Sequence, residues 1–252
     1  MEHKKVSLIL TTYNCRNNLE KTLESIEAQD YPNIEVIIKD GGSIDGTLDV
    51  IKKHQEKSVL PIISVSKPDK GIYDAMNQGY ALSSGEIVAF FNDTFTCNTA
   101  ISKMVAKMEE VNLVTNKRYI GVHADLVYAD EEKIVRRWHM GEGNICQGWM
   151  PGHPTLFLRR EVYEKYGLYN TDFKIGADYE FMIRFLKDKE NSLAYIPENL
   201  VTMFYGGTSS GGLSNYLLSL KEGHQALKMN GIKGAAYIDV RRTIRVLLQF
   251  IK

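Results

Sequence analysis

Short apolar runs alternate with amphipathic stretches through the N-terminal half of the chain. The runs are rich in Val, Ile, Leu and Phe, which predicts buried β-strands. They are residues 6–11, 34–40, 62–66 and 87–91. Between them, apolar residues recur three and four positions apart, as at Leu19, Leu23 and Ile26, which predicts helices. The predicted helices are 17–28, 47–57 and 72–83. This alternation with short loops predicts a parallel, right-handed sheet covered on both faces.

The second half of the chain carries patterns that are less regular. Apolar runs predict strands over 121–128, 133–138, 155–158 and 201–205. Helical spacing predicts helices over 101–111, 161–166, 178–186 and 237–251. The segment 141–152 is rich in glycine, which is typical of a loop. Because no internal repeat, low-complexity run or linker divides the chain, we predict one α/β domain.

The charge balance and the cysteines narrow the functional classes. Lys plus Arg equals Asp plus Glu, at 31 each, and no basic stripe carries interleaved aromatics, so no nucleic-acid partner is expected. The N-terminal apolar run is too short for a signal peptide, and no apolar stretch reaches spanning length. Cys15, Cys97 and Cys146 give no disulfide framework and no metal-binding spacing. We therefore expect a cytoplasmic protein.

Acidic residues follow three of the predicted strands. Asp40 ends the second strand, Asp69 lies just past the third, and Asp93 follows the fourth. Because parallel strands end at one edge of a sheet, where open α/β sheets bind ligands, we expect these carboxylates to converge. Asp40 and Asp69 suit hydrogen bonds to a base or ribose, and Asp93 suits a divalent metal that neutralises phosphate oxygens. The P-loop and dinucleotide fingerprints are absent from the sequence.

Several ordered motifs then carry a resemblance to a known family. They are VSLILTTYN at 6–14, DGGSIDGT at 40–47, DKGIYDAMN at 69–77, IVAFFND at 87–93, HPT at 153–155, GADYEF at 176–181 and GGTS at 206–209. In order and spacing, this sequence resembles family 2 glycosyltransferases of the GT-A fold. It is most similar to the branch that builds bacterial exopolysaccharide and lipopolysaccharide side chains. The fold that this resemblance implies is a mostly parallel central sheet flanked by helices, followed by C-terminal helices.

The resemblance implies roles for individual residues. The nucleotide-sugar would be bound by Thr11, Tyr13, Asn14, Asp40, Gly42, Ser43, Asp69, Gly71, Asn77 and Asn92. Asp93 would bind Mn²⁺ or Mg²⁺, and His153 would touch the diphosphate or the metal. Asp178 matches the general base that removes a proton from the acceptor hydroxyl, in a single displacement with inversion. Trp149 and Glu180 would lie on the acceptor side.

One departure from the family pattern leaves an alternative open. The metal motif of the family has two closely spaced acids after its Asn, whereas this chain has Asn92-Asp93-Thr94 with one. Metal binding would then rely on donor phosphates and water, or the chain is a catalytically weak or inactive partner subunit that binds a sugar nucleotide. A nucleotidyltransferase ranks lower, because the residues after the first strand lack its Gly-rich basic loop.

The expected protein is an inverting, metal-assisted enzyme that takes a nucleotide-sugar, most simply a UDP-sugar. Its acceptor would be a saccharide or a lipid-linked saccharide. We expect residues 4–120 to bind the donor, 121–210 to form the acceptor and catalytic half, and 211–252 to form C-terminal helices. The segment 206–212 would act as a lid. The Arg-flanked tail is expected to pack on the core or pair in a homodimer, with peripheral contact to the cytoplasmic face of the inner membrane as the alternative.

Overall fold

The computed structural model describes residues 3–130, 133–188, 190–204 and 212–248, which form strands and helices in close alternation. In chain order these are β1 (Val6–Thr12), α1 (Arg16–Glu27), β2 (Ile34–Asp40), α2 (Thr47–Lys57), β3 (Ile62–Ser66), α3 (Ile72–Leu82), β4 (Ile87–Phe90), β5 (Thr94–Phe95), α4 (Ala100–Glu109), β6 (Val111–Asn112), β7 (Lys117–Arg118), β8 (Gly121–Asp130), β9 (Lys133–Trp138), β10 (Phe157–Arg159), α5 (Arg160–Tyr166), α6 (Ala177–Leu186), β11 (Leu193–Phe204), α7 (Gly212–Met229) and α8 (Ala235–Leu248). Two short 3₁₀ turns occupy Ile145–Gln147 and His153–Thr155.

One large sheet organises the described chain. Its strand order is β3-β2-β1-β4-β10-β8-β11-β5, with β9 paired to β8. Strands β1 to β4, β8 and β11 run in one direction, whereas β5, β9 and β10 oppose it. The predicted α/β class with a mostly parallel sheet is confirmed, and the carboxyl ends of β1, β2 and β4 meet at one edge.

Both faces of the central strands are buried, which explains their unbroken apolar runs. All seven residues of β2 are buried. Leu8 and Ile38 pack on one face against Leu23 of α1, and Ile9 packs on the other face with Met76 of α3. The helices predicted from this spacing therefore cover the sheet on each side with their apolar faces.

The structure corrects the sequence reading in the second half. The predicted strand 155–158 is a 3₁₀ turn at His153–Thr155 followed by β10, because Pro154 favours a turn and has no N–H for a ladder. The predicted strand 201–205 is the end of the longer β11. Pro197 and register shifts around Asn199 interrupt the regular pattern of that strand.

The C-terminal helices pack on the rest of the chain through one face. In α8, Ile238 and Arg242 are buried, whereas Tyr237, Val240 and Ile244 are exposed. No helix of the described chain is both long and apolar enough to cross a membrane. The membrane contact and the homodimer stay predictions. The predicted lid at 206–212 lies outside the described residues, except that α7 begins at Gly212.

A buried carboxylate joins the strands of the sheet through hydrogen bonds near their amino ends. Glu35 on β2 is 2% exposed and lies 2.6 Å from Lys5 Nζ. It accepts hydrogen bonds from Ser7 Oγ at 2.6 Å and from the Ser84 N–H at 2.6 Å. Burial acts to raise the pKa of Glu35, but the bonds from Lys5, Ser7 and Ser84 outweigh it and lower the pKa to about 2.

Glu35→Gln is expected to lower the free energy of unfolding and to make that free energy depend less on pH in the acid range. A pKa lowered from 4.5 to about 2 in the fold means that ionised Glu35 stabilises above pH 4.5, and that this contribution is lost as pH falls toward 2. The contribution is on the order of 3 kcal/mol. Urea unfolding across this pH range measures it, with the exposed Glu56→Gln as the control. Parallel stability curves for wild type and Glu35→Gln would contradict this role.

Candidate active site

The carboxylate of Asp40 lies at the edge of the sheet where β1, β2 and β3 end. It is 1% exposed and accepts five hydrogen bonds, from Thr12 Oγ1, the Gly42 N–H, the N–H and Oγ of Ser43, and Ser66 Oγ, at 2.5 to 3.0 Å. Burial acts to raise the pKa of Asp40, but the bonds from Ser43, Ser66 and Gly42 prevail and lower it. Asp40 thus shapes the Gly42–Ser43 turn, whose Gly42 has φ +90°.

The loop after β1 is tied to both neighbouring strand ends. Asn92 Oδ1 accepts the Thr11 N–H at 3.0 Å, and Asn92 Nδ2 donates to Thr11 Oγ1 at 3.0 Å. The Asn14 N–H donates to Ser43 Oγ at 2.8 Å, and Asn14 has φ +46°. Tyr13 between them is 67% exposed. The structure therefore brings these predicted residues together around an accessible tyrosine.

A buried lysine that the sequence reading missed holds Asp69. Lys39 is fully buried, and its Nζ donates to Asp69 Oδ2 at 3.1 Å and to the carbonyls of Asp40 and Lys67 at 2.8 and 2.7 Å. A Cβ on Gly41 would lie 3.0 Å from Asp69 Oδ2 and 3.2 Å from Tyr13 Cδ2. Asp69, Gly41 and Tyr13 therefore converge, and glycine provides the clearance. A lysine inside a strand of apolar residues is the signal that could have found Lys39.

Asn77 is occupied by a structural task. Its Nδ2 donates to the Tyr169 carbonyl at 2.9 Å, and its Oδ1 accepts the Tyr169 N–H at 3.0 Å. Both polar ends of the side chain are thus used to hold the loop that carries Tyr169.

Gly71, with φ +117°, directly precedes α3, and its N–H donates to Asp69 Oδ1 at 3.0 Å. Asp69 therefore shapes this turn as well.

Asp178 lies in the first turn of α6 among aromatic and imidazole groups. It is partly buried, and Tyr73 Oη donates to its Oδ1 at 3.3 Å. Burial and the charge of Asp178 raise the pKa of Tyr73, so the phenol keeps its proton for this bond. Nε2 of His153 lies 2.8 Å from Tyr169 Oη, and the rings of Tyr73 and Tyr169 are 5.6 Å apart. The sequence reading missed Tyr73 and Tyr169, although Tyr73 lies inside a quoted motif.

The surroundings of His153 favour the neutral form of its imidazole. Burial lowers its pKa, and the negative charge of Asp178 opposes the shift without overcoming it. Because Nε2 already pairs with Tyr169, His153 could ligate a metal through that nitrogen only if this hydrogen bond broke.

Asp93 follows β4 at the same edge, beside the end of β11. It is 8% exposed, and its Oδ1 accepts the Phe204 N–H at 3.1 Å. Burial raises the pKa of Asp93 to about 7, and the bond from Phe204 offsets only part of this. The described residues contain no cluster of three His, Cys, Asp or Glu side chains able to hold a metal. A lone carboxylate fits a cation that arrives with a diphosphate, because Mg²⁺ is commonly held by one or two carboxylates plus substrate phosphates.

Trp149 and Glu180 are buried in contacts with the protein. Trp149 is 5% exposed, and its Nε1 donates to the Met140 carbonyl at 3.0 Å. Glu180 is 4% exposed; its Oε2 pairs with Arg184 Nε at 3.0 Å, and its Oε1 accepts from Asn230 Nδ2 at 3.0 Å. Their placement on the acceptor side stays a prediction, and in this structure neither offers a free polar group.

Solved structures with the same architecture are glycosyltransferases. The mannosyltransferase PcManGT from Pyrobaculum calidifontis, in complex with GDP-Man and Mn²⁺, superposes with a TM-score of 0.68 at 17% identity, covering 98% of this chain and 75% of that one. S. aureus TarS 1–349 in complex with UDP-GlcNAc gives 0.69 at 16% identity, covering 96% and 71%. The fold is thus that of the GT-A glycosyltransferases, as the motifs imply.

Sequence comparison defines the family. The model for glycosyl transferase family 2 matches residues 7–167. A PGL/p-HBAD biosynthesis glycosyltransferase of Mycobacterium tuberculosis is 30% identical over 250 residues, covering 93% of this chain and 88% of its own. The Escherichia coli UDP-Glc:alpha-D-GlcNAc-diphosphoundecaprenol beta-1,3-glucosyltransferase WfaP is 26% identical over 229 residues, covering 90% and 87%. The chain belongs to glycosyl transferase family 2 and is a glycosyltransferase of glycan biosynthesis.

Lys39→Met is expected to lower the free energy of unfolding by about 3 kcal/mol, because it leaves the partners of a buried ammonium unsatisfied. The methionine keeps the apolar stem and removes the donor to Asp69 and to two carbonyls. Urea denaturation measures the loss. Lys67→Met, at an exposed position, is the control and should change stability by less than about 0.5 kcal/mol. Equal stability of the two variants would refute the role of Lys39.

Proposed function

We propose that this protein is an inverting, metal-assisted glycosyltransferase that moves a sugar from a nucleotide-sugar to a saccharide or lipid-linked saccharide. The observation that carries the proposal is the pair formed by Asp178 and Tyr73. A partly buried carboxylate in the first turn of a helix receives a hydrogen bond from a buried phenol. This pair adjoins the edge of the sheet where the loops after β1, β2 and β4 converge. We call the surface that Tyr13, Gly41 and Gly42 form at this edge the donor shelf, and the proposed base lies beside it.

The donor shelf suits a nucleoside diphosphate. Exposed Tyr13 offers a ring on which a base can stack, and Gly41 and Gly42 let the ligand approach the backbone closely. Because Asp40 is saturated by hydrogen bonds within the protein, its part is to fix the shelf rather than to contact the ribose through a free oxygen. UDP is the nucleotide we propose, because WfaP is named for UDP-Glc and TarS binds UDP-GlcNAc in its complex.

The transfer step assigns the proton to Asp178. The acceptor hydroxyl oxygen attacks the anomeric carbon from the face opposite the diphosphate, and its proton passes to Asp178. A new carbon–oxygen bond forms as the bond to the diphosphate oxygen breaks, and the nucleoside diphosphate leaves with that electron pair. The configuration at the anomeric carbon is therefore inverted. Tyr73 engages Oδ1 of Asp178, which leaves Oδ2 to receive the proton.

Asp93 is the residue that would hold Mn²⁺ or Mg²⁺. A bound divalent cation neutralises the charge that develops on the departing diphosphate. Since Asp93 is nearly buried and single, the remaining ligands would be donor phosphates and water. The same features favour one competing function, a weak or inactive subunit that binds a sugar nucleotide. Donor hydrolysis and transfer assayed with Mn²⁺ separate the two, because only the enzyme consumes donor.

One relative supports a choice of acceptor class. WfaP is named for a diphosphoundecaprenol-linked saccharide, which is a lipid-linked acceptor. We propose the same class for this chain, with the acceptor entering beside Asp178 and His153. A panel of UDP-sugars with short lipid-linked and free saccharides tests this choice. Transfer to the free saccharides alone would overturn it.

Asp178→Asn is expected to reduce the transfer rate by about 10² to 10⁴-fold, because the amide cannot take the proton. Donor affinity should stay within about twofold, as measured by calorimetric titration with the UDP-sugar. Tyr73→Phe should lower the rate by about tenfold through loss of one hydrogen bond. Tyr80→Phe, on the same helix α3, is the control that removes a hydroxyl elsewhere. Full activity in Asp178→Asn would make the base assignment wrong.

Asp93→Asn is expected to weaken the binding of the metal, because it removes the carboxylate that we propose as the ligand of a phosphate-bound cation. Activity titrated against Mn²⁺ should show a half-saturating concentration raised by about tenfold or more, or no stimulation at all. Asp130→Asn alters an exposed carboxylate at the end of β8 and should leave the titration unchanged. An Asp93→Asn curve that superposes on wild type would show that the cation is held by other groups.

A further inference from the structure

The loop that leads into α6 is held by one side chain from a distant helix. Glu222 on α7 accepts the N–H of Lys174 on Oε1 at 2.9 Å, and the N–H groups of Ile175 and Gly176 on Oε2 at 3.0 and 2.8 Å. Glu222 is 7% exposed. One buried carboxylate therefore satisfies three consecutive backbone donors, which would otherwise be left unpaired at a helix start.

Glu222 binds the three N–H groups that lead up to α6, just outside its first turn. Gly176 is the residue before α6 and has no side chain with which to cap it. A negative charge near the first turn of a helix is also favourable, because the backbone N–H groups there carry partial positive charge. A Cβ on Gly176 would lie 3.0 Å from Glu222 Cβ, so glycine is what lets the two segments approach.

The contact lies beside the base. Asp178 follows Gly176 by two residues, in the first turn of α6. A second tie, from Asn230 at the end of α7 to Glu180, fixes the same two helices further along. Contacts from Glu222 of α7 and from Asn230 just after it therefore hold α6 on both sides of Asp178, although the family match ends at residue 167 and does not include α7.

We infer that Glu222 is a positioning residue for the transfer reaction, which sets the 174–176 loop so that Asp178 meets the acceptor hydroxyl. This inference rests on the proposed role of Asp178 as the base. It makes the C-terminal helix α7 part of the catalytic apparatus rather than a simple cover. Glu222 acts through Asp178 and does not touch the substrate.

Glu222→Ala and Glu222→Gln are the test variants. The amide of glutamine keeps one acceptor oxygen but presents a donor to a backbone N–H, so its effect should be the smaller. We expect the turnover number to fall by about 100-fold in Glu222→Ala and by about tenfold in Glu222→Gln, with the KM for the UDP-sugar within about twofold. Gly176→Ala, which crowds the same contact, should behave like Glu222→Gln.

A matched control separates positioning from stability. His224 lies two residues away on α7 and pairs with Asp239 of α8 through Nδ1 at 2.6 Å. His224→Ala should weaken α7 packing and leave the turnover number unchanged. If His224→Ala lowers turnover as much as Glu222→Ala at equal stability, the inference is overturned.

A double-variant cycle gives the decisive readout. If Glu222 acts through Asp178, then adding Glu222→Gln to Asp178→Asn should not reduce the residual rate further. An additional tenfold loss in the double variant would show that Glu222 acts elsewhere. Full activity of Asp178→Asn alone is the distinct result that overturns the proposed function.

Amide hydrogen exchange tests the same contact without activity. Residues 174–176 and the first turn of α6 should exchange faster in Glu222→Ala than in wild type, and at the wild-type rate in His224→Ala. Unchanged exchange in Glu222→Ala would refute the inference even if transfer activity fell.

Discussion

The candidate site depends on hydrogen bonds within the protein that pair the polar groups at the ends of parallel strands. Where β1, β2 and β3 end, backbone N–H groups and hydroxyls would be left buried and unpaired, which is costly. The carboxylate of Asp40 meets this demand by accepting five hydrogen bonds from three segments at once. Around it the loop after β1 is tied to β4 through Asn92, and Asp69 is tied to β2 through Lys39. The ends of these strands are thus held together by buried charged side chains.

The proposed base, Asp178, lies among groups that come from segments remote in the chain. Tyr73 lies on α3, and Asp178 lies in the first turn of α6. His153 precedes β10, and Tyr169 follows α5. None of these groups could be placed beside the others by local geometry alone. The sheet and its covering helices bring them together, and α7 fixes the last of them through Glu222. The groups around this carboxylate therefore come from segments that extend from residue 73 to residue 222.

Local patterns are enough to predict the N-terminal half. Strands β1, β2 and β4 are buried on both faces, so their apolar runs are unbroken, whereas β3 at the edge of the sheet is partly exposed. Helices α1 to α3 show helical spacing because each covers the sheet with one face. The glycine-rich turn after Asp40 is equally visible, since it needs a positive φ at Gly42.

Long-range contacts are what the sequence could not supply. The three residues of β10 pair between β4 and β8, and although an apolar run predicts a strand close to this position, nothing in that run indicates the two partners. Tyr73 and Asp178 are 105 positions apart, and nothing in either segment indicates their contact. Nor does the sequence distinguish the saturated carboxylate of Asp40 from the nearly isolated one of Asp93, because the difference lies in how many donors surround each.

The insertion of β10 also affects how the protein is made. During synthesis β4 emerges early and pairs with β1, but its other edge has no partner until residues 157–159 leave the ribosome. That edge belongs to an entirely apolar strand, the kind of surface that invites pairing with another chain. The sheet therefore cannot be completed in order from the amino terminus. The nascent chain must carry an open apolar edge through the translation of α4, β8 and β9, which makes this interval the one most exposed to aggregation.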